Sequence, residues 1–339
     1  MAEKSTIEWT DASWSPIRAR NRATGKIGWH CEHASPGCVN CYSEGINKRL
    51  GTGLAFKPGH AKDIEVSLDE TMLTAPLRWK RPRMIFVCSM TDLFADFVPD
   101  EWIDRMFAVM ALAGQHVFQI LTKRSSRMRQ YFQTWPMRNN EPDRIAEIAI
   151  DMGYQVIGYR GRGGLSGRPL PNVWLGVSCE DHRRADERCS HLLRTPAAVR
   201  FVSAEPLLGP IDFTRLSITD PKPPRLSYGY DALRGAVSPW LEGQRQADLA
   251  DPANPRLDWI IVGGESGHGA RPFVLGWGKD IVRQCQQAGT KVFVKQVGSN
   301  PTNREGERHI ARDRKGGDIA EWPAELQVRQ MPEARHDVA

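Results

Sequence analysis

The sequence has no apolar run approaching the roughly 18 residues of a membrane helix, which argues against a spanning segment. Its first residues, MAEKSTIEWTD, carry charge but no apolar signal core, so a cytoplasmic location is expected rather than secretion. Cysteine is scarce, at seven in 339 residues, odd in number and unevenly placed. A secreted disulfide framework is denser and even-numbered, so reduced thiols are expected. No internal repeat at a fixed period stands out, which excludes a solenoid. Large net charge is lacking too: 46 Lys and Arg against 40 Asp and Glu leave +6. That mild basic excess permits a polyanionic partner without requiring one. With 40% hydrophobic and 25% charged residues, the composition is that of a folded chain, not a disordered or fibrous one.

What is present is an alternation. Short apolar runs end in polar residues, and helix-like stretches follow. The runs are RMIFVCSMTDLF (83–94), VFQILTKR (117–124), NVWLGVSCED (172–181), VRFVSAEPLL (199–208), LDWIIVGGESG (257–267) and KVFVKQVG (291–298), with a further strand expected at STIEWT (5–10). Helices are expected at EWIDRMFAVMALAG (101–114), SSRMRQYFQTW (125–135), DHRRADERCSHLLRT (181–195) and GWGKDIVRQCQQAG (276–289), two of them stopped by Gly. Near-continuous apolar strands separated by helices imply parallel βα units buried on both faces. The fold class is therefore α/β, a partial (β/α) barrel, with a doubly wound sheet as the alternative. Residues 136–171, with a helix at DRIAEIAIDMGY and the loop RGRGGLSGRPLP, and residues 214–256, rich in Pro, Arg and Asp, read as two inserted segments. The barrel then occupies 1–298, and 299–339 is a polar C-terminal extension with an apolar patch at IAEWPAEL.

The sharpest local signal is WHCEHASPGCVNCYSE, with the spacing Cys31-x6-Cys38-x2-Cys41. A two-residue gap lets two thiolates turn onto one metal, and Pro36 and Gly37 supply the bend. A structural zinc site closes with four ligands, for which His30 and His33 are the nearby candidates. An iron–sulfur cluster held by three thiolates keeps one iron open. Spacing alone leaves cluster, zinc and ordinary thiols as alternatives. The loop precedes the helix-like SEGINKRL and is expected at the carboxyl end of the first strand. In a barrel, the later strands deliver Ser89, Thr91, Asp92, Thr122, Lys123, Ser178, Glu180, Glu205, Glu265 and Lys295 to that same end.

The stretches IEWTDASWSP, SPGCVNCYSE, LRWKRPRMIFVCSMTDLF, FQILTKR, NVWLGVSCED, RFVSAEPLLGP, DWIIVGGESGHGARP and VFVKQ resemble, in order and over most of 5–298, the phage-associated three-cysteine proteins that are similar to radical SAM enzymes. The two inserted segments and the tail fall outside the resemblance. It implies a barrel of the radical SAM type, with a 4Fe-4S cluster on Cys31, Cys38 and Cys41 and with S-adenosylmethionine as cofactor. An electron from the cluster would cleave that cofactor, and a 5'-deoxyadenosyl radical would take a hydrogen atom from a nucleic acid or nucleotide, in base modification or lyase-type repair. An electron donor is implied as partner. The usual loop of such enzymes has spacings of three and two, whereas this one has six and two. A Gly-Gly-Glu triplet follows the second strand in those enzymes; here Gly263, Gly264 and Glu265 follow a late one, so its role is not transferred by letters.

Within that reading, Lys123 or Arg124 neutralises the cofactor carboxylate. Asp92 or Glu180 accepts from its amino group or ribose, and Ser89, Thr91, Thr122 and Ser178 give hydroxyl contacts. Glu265 joins this set by its strand-end position. Cys179 is a candidate hydrogen-atom donor, and Glu205 and Lys295 are candidates at the mouth. Plainer roles compete: Asp92 and Thr122 as helix caps, Cys179 as a packing thiol like Cys88, Cys189 and Cys285, and Gly263-Gly264 as a tight strand exit. Basic stretches with aromatics, LRWKRPR around Trp79, RMRQ (127–130) and RGRGG, are candidates for phosphate contact. The alternative function is a zinc-stabilised, non-catalytic nucleic-acid-binding or adaptor protein.

Overall fold

The computed structural model describes residues 5–138, 144–154, 169–219, 227–238, 240–241, 244–245, 249–251, 253–309 and 312–333. Seven strands form its main sheet: β1 (Ala12–Trp14), β2 (Met84–Val87), β3 (Val117–Thr122), β4 (Val173–Ser178), β5 (Val199–Ala204), β6 (Trp259–Gly263) and β7 (Lys291–Gln296). They lie in chain order across the sheet, and β1–β2, β2–β3, β5–β6 and β6–β7 pair in parallel. A doubly wound sheet reverses its strand order at a switch point. No reversal occurs here, so the chain is a mixed α/β protein with a singly wound parallel sheet. Every residue of β4 and β6 is buried, as expected where both faces of a parallel sheet are covered. One expectation shifts: STIEWT forms turns, and the first strand is the following ASW. Trp9 is buried there all the same and packs on Phe86 with ring centroids 4.8 Å apart.

The chain divides into two compact units, the first comprising Met1–Leu175, Thr195–Ala198 and Ala334–Ala339, the second Gly176–Arg194 and Val199–Glu333. In the first, helices α1 (Tyr42–Leu50), α2 (Asp100–Leu112), α3 (Ser125–Arg138) and α4 (Arg144–Asp151) accompany the early strands. Ile103, Met106, Phe107 and Met110 recur at helical spacing on α2, and all are buried. Met128, Tyr131 and Phe132 do the same on α3, and the Tyr131 hydroxyl donates to Asp104 at 2.7 Å. A small antiparallel sheet of Ile17–Asn21, Ile27–Gly28 and Ile64–Leu68 stands beside the cysteine loop in sequence. Most of the RGRGGLSGRPLP loop lies outside the described residues.

In the second unit, α5 (His182–Leu193) starts where Asp181 accepts from the Arg184 amide at 2.9 Å. Helix α6 (Leu275–Ala288) ends at Gly289, whose φ of 72° is the left-handed stop that the sequence suggests. Gly176 on β4 faces the Phe201 ring so closely that a β-carbon would sit 2.4 Å from it. The segment 214–256 includes an antiparallel sheet of Leu216–Thr219, Ser227–Asp231, Ala236–Ser238 and Leu249–Ala250, which short strands with little apolar periodicity conceal in the sequence. Nor does the polar tail stand off. The Val294 amide donates to Val328 and the Gln330 amide to Val292, each at 2.9 Å, while Trp322 and Leu326 are buried. The tail thereby occupies the open hydrogen-bonding edge of β7. No helix among the described residues is long and apolar enough to cross a membrane.

Candidate functional site

In the first unit the cysteine loop runs into α1. Pro36–Cys38 make one turn of 3-10 helix, closed by the Cys38 amide donating to Ser35 at 2.9 Å, and Cys41 sits at the N-cap of α1. All three cysteines are half-buried, whereas Cys88, Cys179, Cys189 and Cys285 are fully buried. That split separates loop thiols from packing thiols, a distinction the sequence suggests only by clustering. Burial pushes the Cys31 thiol up to about 12; the Asp92 charge adds to the effect, Arg124 opposes it, and Cys41 and Cys38 contribute. The Cys31 thiol therefore lies within electrostatic reach of Asp92, Arg124, Cys38 and Cys41. A thiol raised in this way stays protonated at neutral pH until a metal ion displaces the proton.

The loop is tied to the exits of β2 and β3. Thr91 Oγ1 donates to the His30 carbonyl at 2.6 Å, and Arg124 donates to the Glu32 carbonyl at 3.2 Å. From α1, the Tyr42 hydroxyl and Ser43 Oγ both donate to the Ser89 carbonyl, at 2.8 and 3.0 Å. The exit of β2 turns sharply through Cys88, whose φ of 55° is unusual for a residue with a β-carbon. That turn lays Ser89 and Thr91 against the loop.

Asp92 and Thr122 are engaged with each other. Thr122 Oγ1 donates to Asp92 Oδ1 at 2.7 Å and accepts from the Arg124 amide at 2.8 Å; the Lys123 amide donates to Asp92 Oδ2 at 3.0 Å. This is the local capping chemistry that competes with a cofactor role. The Lys123 ammonium has no hydrogen-bond or ion-pair partner among the described residues. Arg124 also lies 3.9 Å from the Glu32 carboxylate.

Sequence reasoning missed Glu44. Its carboxylate takes His33 Nε2 at 2.7 Å, the Phe56 amide at 3.0 Å and the Lys48 ammonium, so it staples the loop to α1. The signal was present as a Glu–Lys pair four residues apart on a helix. Burial raises the Glu44 carboxyl, but the hydrogen bonds from Lys48, Phe56 and His33 outweigh it and hold it below the usual range. Its stabilising contribution is complete above the unfolded-state value of roughly 4.3 and is lost as pH falls through the lower folded-state value. Replacing Glu44 with Gln is expected to lower the urea midpoint at pH 7 and to flatten its fall on acidification; identical midpoint-against-pH curves for both proteins would refute the staple.

The second unit gathers Ser178, Glu205, Gly263 and Lys295 at strand exits. Lys295 Nζ donates to Glu205 Oε1 at 2.5 Å, and Ser178 Oγ donates to the Glu205 carbonyl at 3.2 Å. A β-carbon on Gly263 would lie 3.2 Å from the Glu205 carboxyl carbon, so this glycine leaves room for that side chain. Gly264 is tighter still, 2.5 Å from the Val297 carbonyl. Glu265 is bound by Arg271 through its amide at 2.9 Å and its guanidinium. Glu180 is fully buried and pairs with Arg188 at 3.0 Å. The Cys179 thiol turns toward α5, 3.6 Å from the Arg184 carbonyl. Trp79 is only 8% exposed and lies under the Arg83 guanidinium, while Arg127 pairs with Asp100, so these members of the basic stretches are engaged in the first unit's own structure.

Three thiols sit on one loop, and His33 is already held by Glu44. His30 Nε2 is buried without a hydrogen bond, 3.6 Å from Glu32. Among the described residues no group of three or more His, Cys, Asp and Glu is arranged to hold a metal ion, so binding would have to draw the thiols together. A family model described as "Protein of unknown function (DUF5131)" matches residues 4–323. No curated protein and no solved structure matches the chain.

Proposed function

The chain belongs to the DUF5131 family, whose description states no activity, and we propose from the site itself that it is an iron–sulfur enzyme of the radical SAM type acting on a nucleic acid or nucleotide. The observation that carries this reading is the tethering of a three-cysteine loop to the exits of β2 and β3 through Thr91, Arg124, Tyr42 and Ser43. Strand exits of a βα sheet are where such folds assemble ligands. Cys31, Cys38 and Cys41 would hold the cluster, and the resemblance in the sequence supplies S-adenosylmethionine as its companion. When bound, they would supply radical chemistry, the removal of a hydrogen atom from substrate, driven by one electron from an external reductant.

The chain's own residues prepare the place. Asp92 and Thr122 fix the β3 exit, which points the Lys123 backbone amide inward to Asp92 and leaves its ammonium for a carboxylate. Arg124 braces the loop backbone at Glu32.

Anaerobically purified protein is expected to be brown, to contain iron and sulfide, and to release 5'-deoxyadenosine from S-adenosylmethionine once reduced. A reconstituted cluster that never cleaves the cofactor would reject the enzyme. One observation favours the second reading, a zinc-stabilised binding protein: the buried His30 Nε2 next to Cys31, which makes no hydrogen bond and lies 3.6 Å from Glu32. One zinc per chain, lost on replacing His30 with Ala, would establish that reading instead.

A further inference from the structure

The net charge of the chain is concentrated. Residues 16–62 contain eight Lys and Arg against Glu32 and Glu44 alone, a net +6, which equals the formal charge of the entire chain. The remaining residues sum to zero. This segment comprises the first two strands of the small antiparallel sheet, the cysteine loop and α1. Arg20, Lys26, Arg49, Lys57 and Lys62 are all exposed, and none meets a carboxylate among the described residues. Glu65 stands opposite Arg20 in register without forming an ion pair with it.

These cations belong to one interlocked body. A β-carbon on Gly28 would lie 2.5 Å from Gly51, so the strand of Lys26 and Ile27 abuts the end of α1, where Arg49 sits. The Trp29 amide donates to Asn47 Oδ1 at 2.9 Å, and Asn21 Nδ2 donates to the Thr52 carbonyl at 2.9 Å. The Arg22 amide reaches the Asp63 carbonyl at 2.9 Å, which brings in the turn carrying Lys62. Alternation along Ile17–Asn21 buries Ile17, Ala19 and Asn21 and turns Arg18 and Arg20 the other way. Ile27 is 49% exposed opposite Arg20, and the Arg18 guanidinium stacks over the Trp29 ring at 4.4 Å.

We propose that this face binds single-stranded nucleic acid: Arg20, Lys26 and Arg49 engage phosphates, and the Arg18–Trp29 stack with Ile27 receives bases. Unpaired cations track a backbone, and flat guanidinium and indole surfaces accept any exposed base face. Paired bases in a duplex hide those faces, which selects the single strand. Trp29 stands two residues before Cys31, so a strand held here is delivered beside the thiols. The inference deepens the function proposed above by placing its substrate class, yet it requires no cluster.

The test is fluorescence anisotropy of the full chain with a labelled oligothymidylate of about 20 nucleotides, at salt from roughly 50 to 200 mM. The triple variant R20E/K26E/R49E, changed only at exposed positions, is expected to bind at least tenfold more weakly. Its log–log salt dependence should be shallower by about 2, since each lost phosphate contact removes about 0.7. Trp29→Ala is expected to weaken binding about 5- to 100-fold with the parental salt slope. Parental affinity and slope in the triple variant overturn the proposal and point to another partner; tighter binding of a duplex of equal length also overturns it. Repeating the titration with Cys38→Ala separates the two readings. Strand binding that persists while the parent fails to cleave S-adenosylmethionine sinks the enzyme alone.

Discussion

If the proposed function holds, Cys38→Ala is expected to abolish iron–sulfur absorbance and to cut S-adenosylmethionine cleavage by more than about 100-fold, beyond the 10- to 100-fold cost of disturbing a residue that merely supports a metal ligand. Two thiolates cannot retain a cluster that already lacks a fourth protein ligand. The loop should survive the substitution, because its anchoring passes through Thr91, Arg124, Tyr42, Ser43 and Glu44, while Cys38 Sγ contributes a long hydrogen bond from the Ala34 amide at 3.5 Å. Circular dichroism and the thermal midpoint of the metal-free protein should therefore match the parent. Cys285→Ala is the matched control: its thiol is buried on α6, where burial alone pushes it up to about 12. It should lose some stability and no iron. A Cys38→Ala protein that stays brown and active would remove the loop from the chemistry altogether.

The second large effect concerns stability. Arg188→Ala is expected to destabilise the second unit by about 3–5 kcal/mol, because it removes the guanidinium that pairs with the fully buried Glu180 carboxylate at 3.0 Å. Arg188 also donates to the Ser178 carbonyl at 2.6 Å, so the same change frees a backbone acceptor at the β4 exit. Arg184, 3.9 Å from the other Glu180 oxygen, is too distant to replace it. For a unit of this size the melting transition should fall by roughly 10 °C, at about 2–4 °C per kcal/mol. Adding Glu180→Gln to Arg188→Ala should restore part of the loss, since it removes the buried charge that Arg188 balances. A melting point within about 2 °C of the parent would show that water reaches Glu180.

This pair also shows where sequence reasoning misjudges a residue. Glu180 follows a strand in the same way as Asp92, so the two look equivalent as candidates. The fold gives them different neighbours: Arg188, eight residues along and nearly two turns into α5, claims Glu180, while Asp92 organises the β3 exit. Helical spacing on α5 contained the information, but only knowing which face of that helix packs on β4 makes it readable. The small basic face was hidden for a different reason. Sequence attention went to contiguous runs such as LRWKRPR, whereas the unpaired cations are spread over residues 20–62 and meet through strand pairing and the close approach at Gly28.

By itself the sequence determined the α/β class, six of the seven main strands, the principal helices and the cysteine loop. These follow from local physics: apolar runs of strand length, helical periodicity, the left-handed stop at Gly289 and the clustering of three cysteines all act within a few residues of one another. Tertiary structure alone decided that the first strand is ASW, that the tail completes the edge of β7, and that Asp92 serves Thr122 while Glu44 staples the loop. Each of those outcomes depends on which distant donor meets which acceptor once water is excluded, and chain order does not encode that distance.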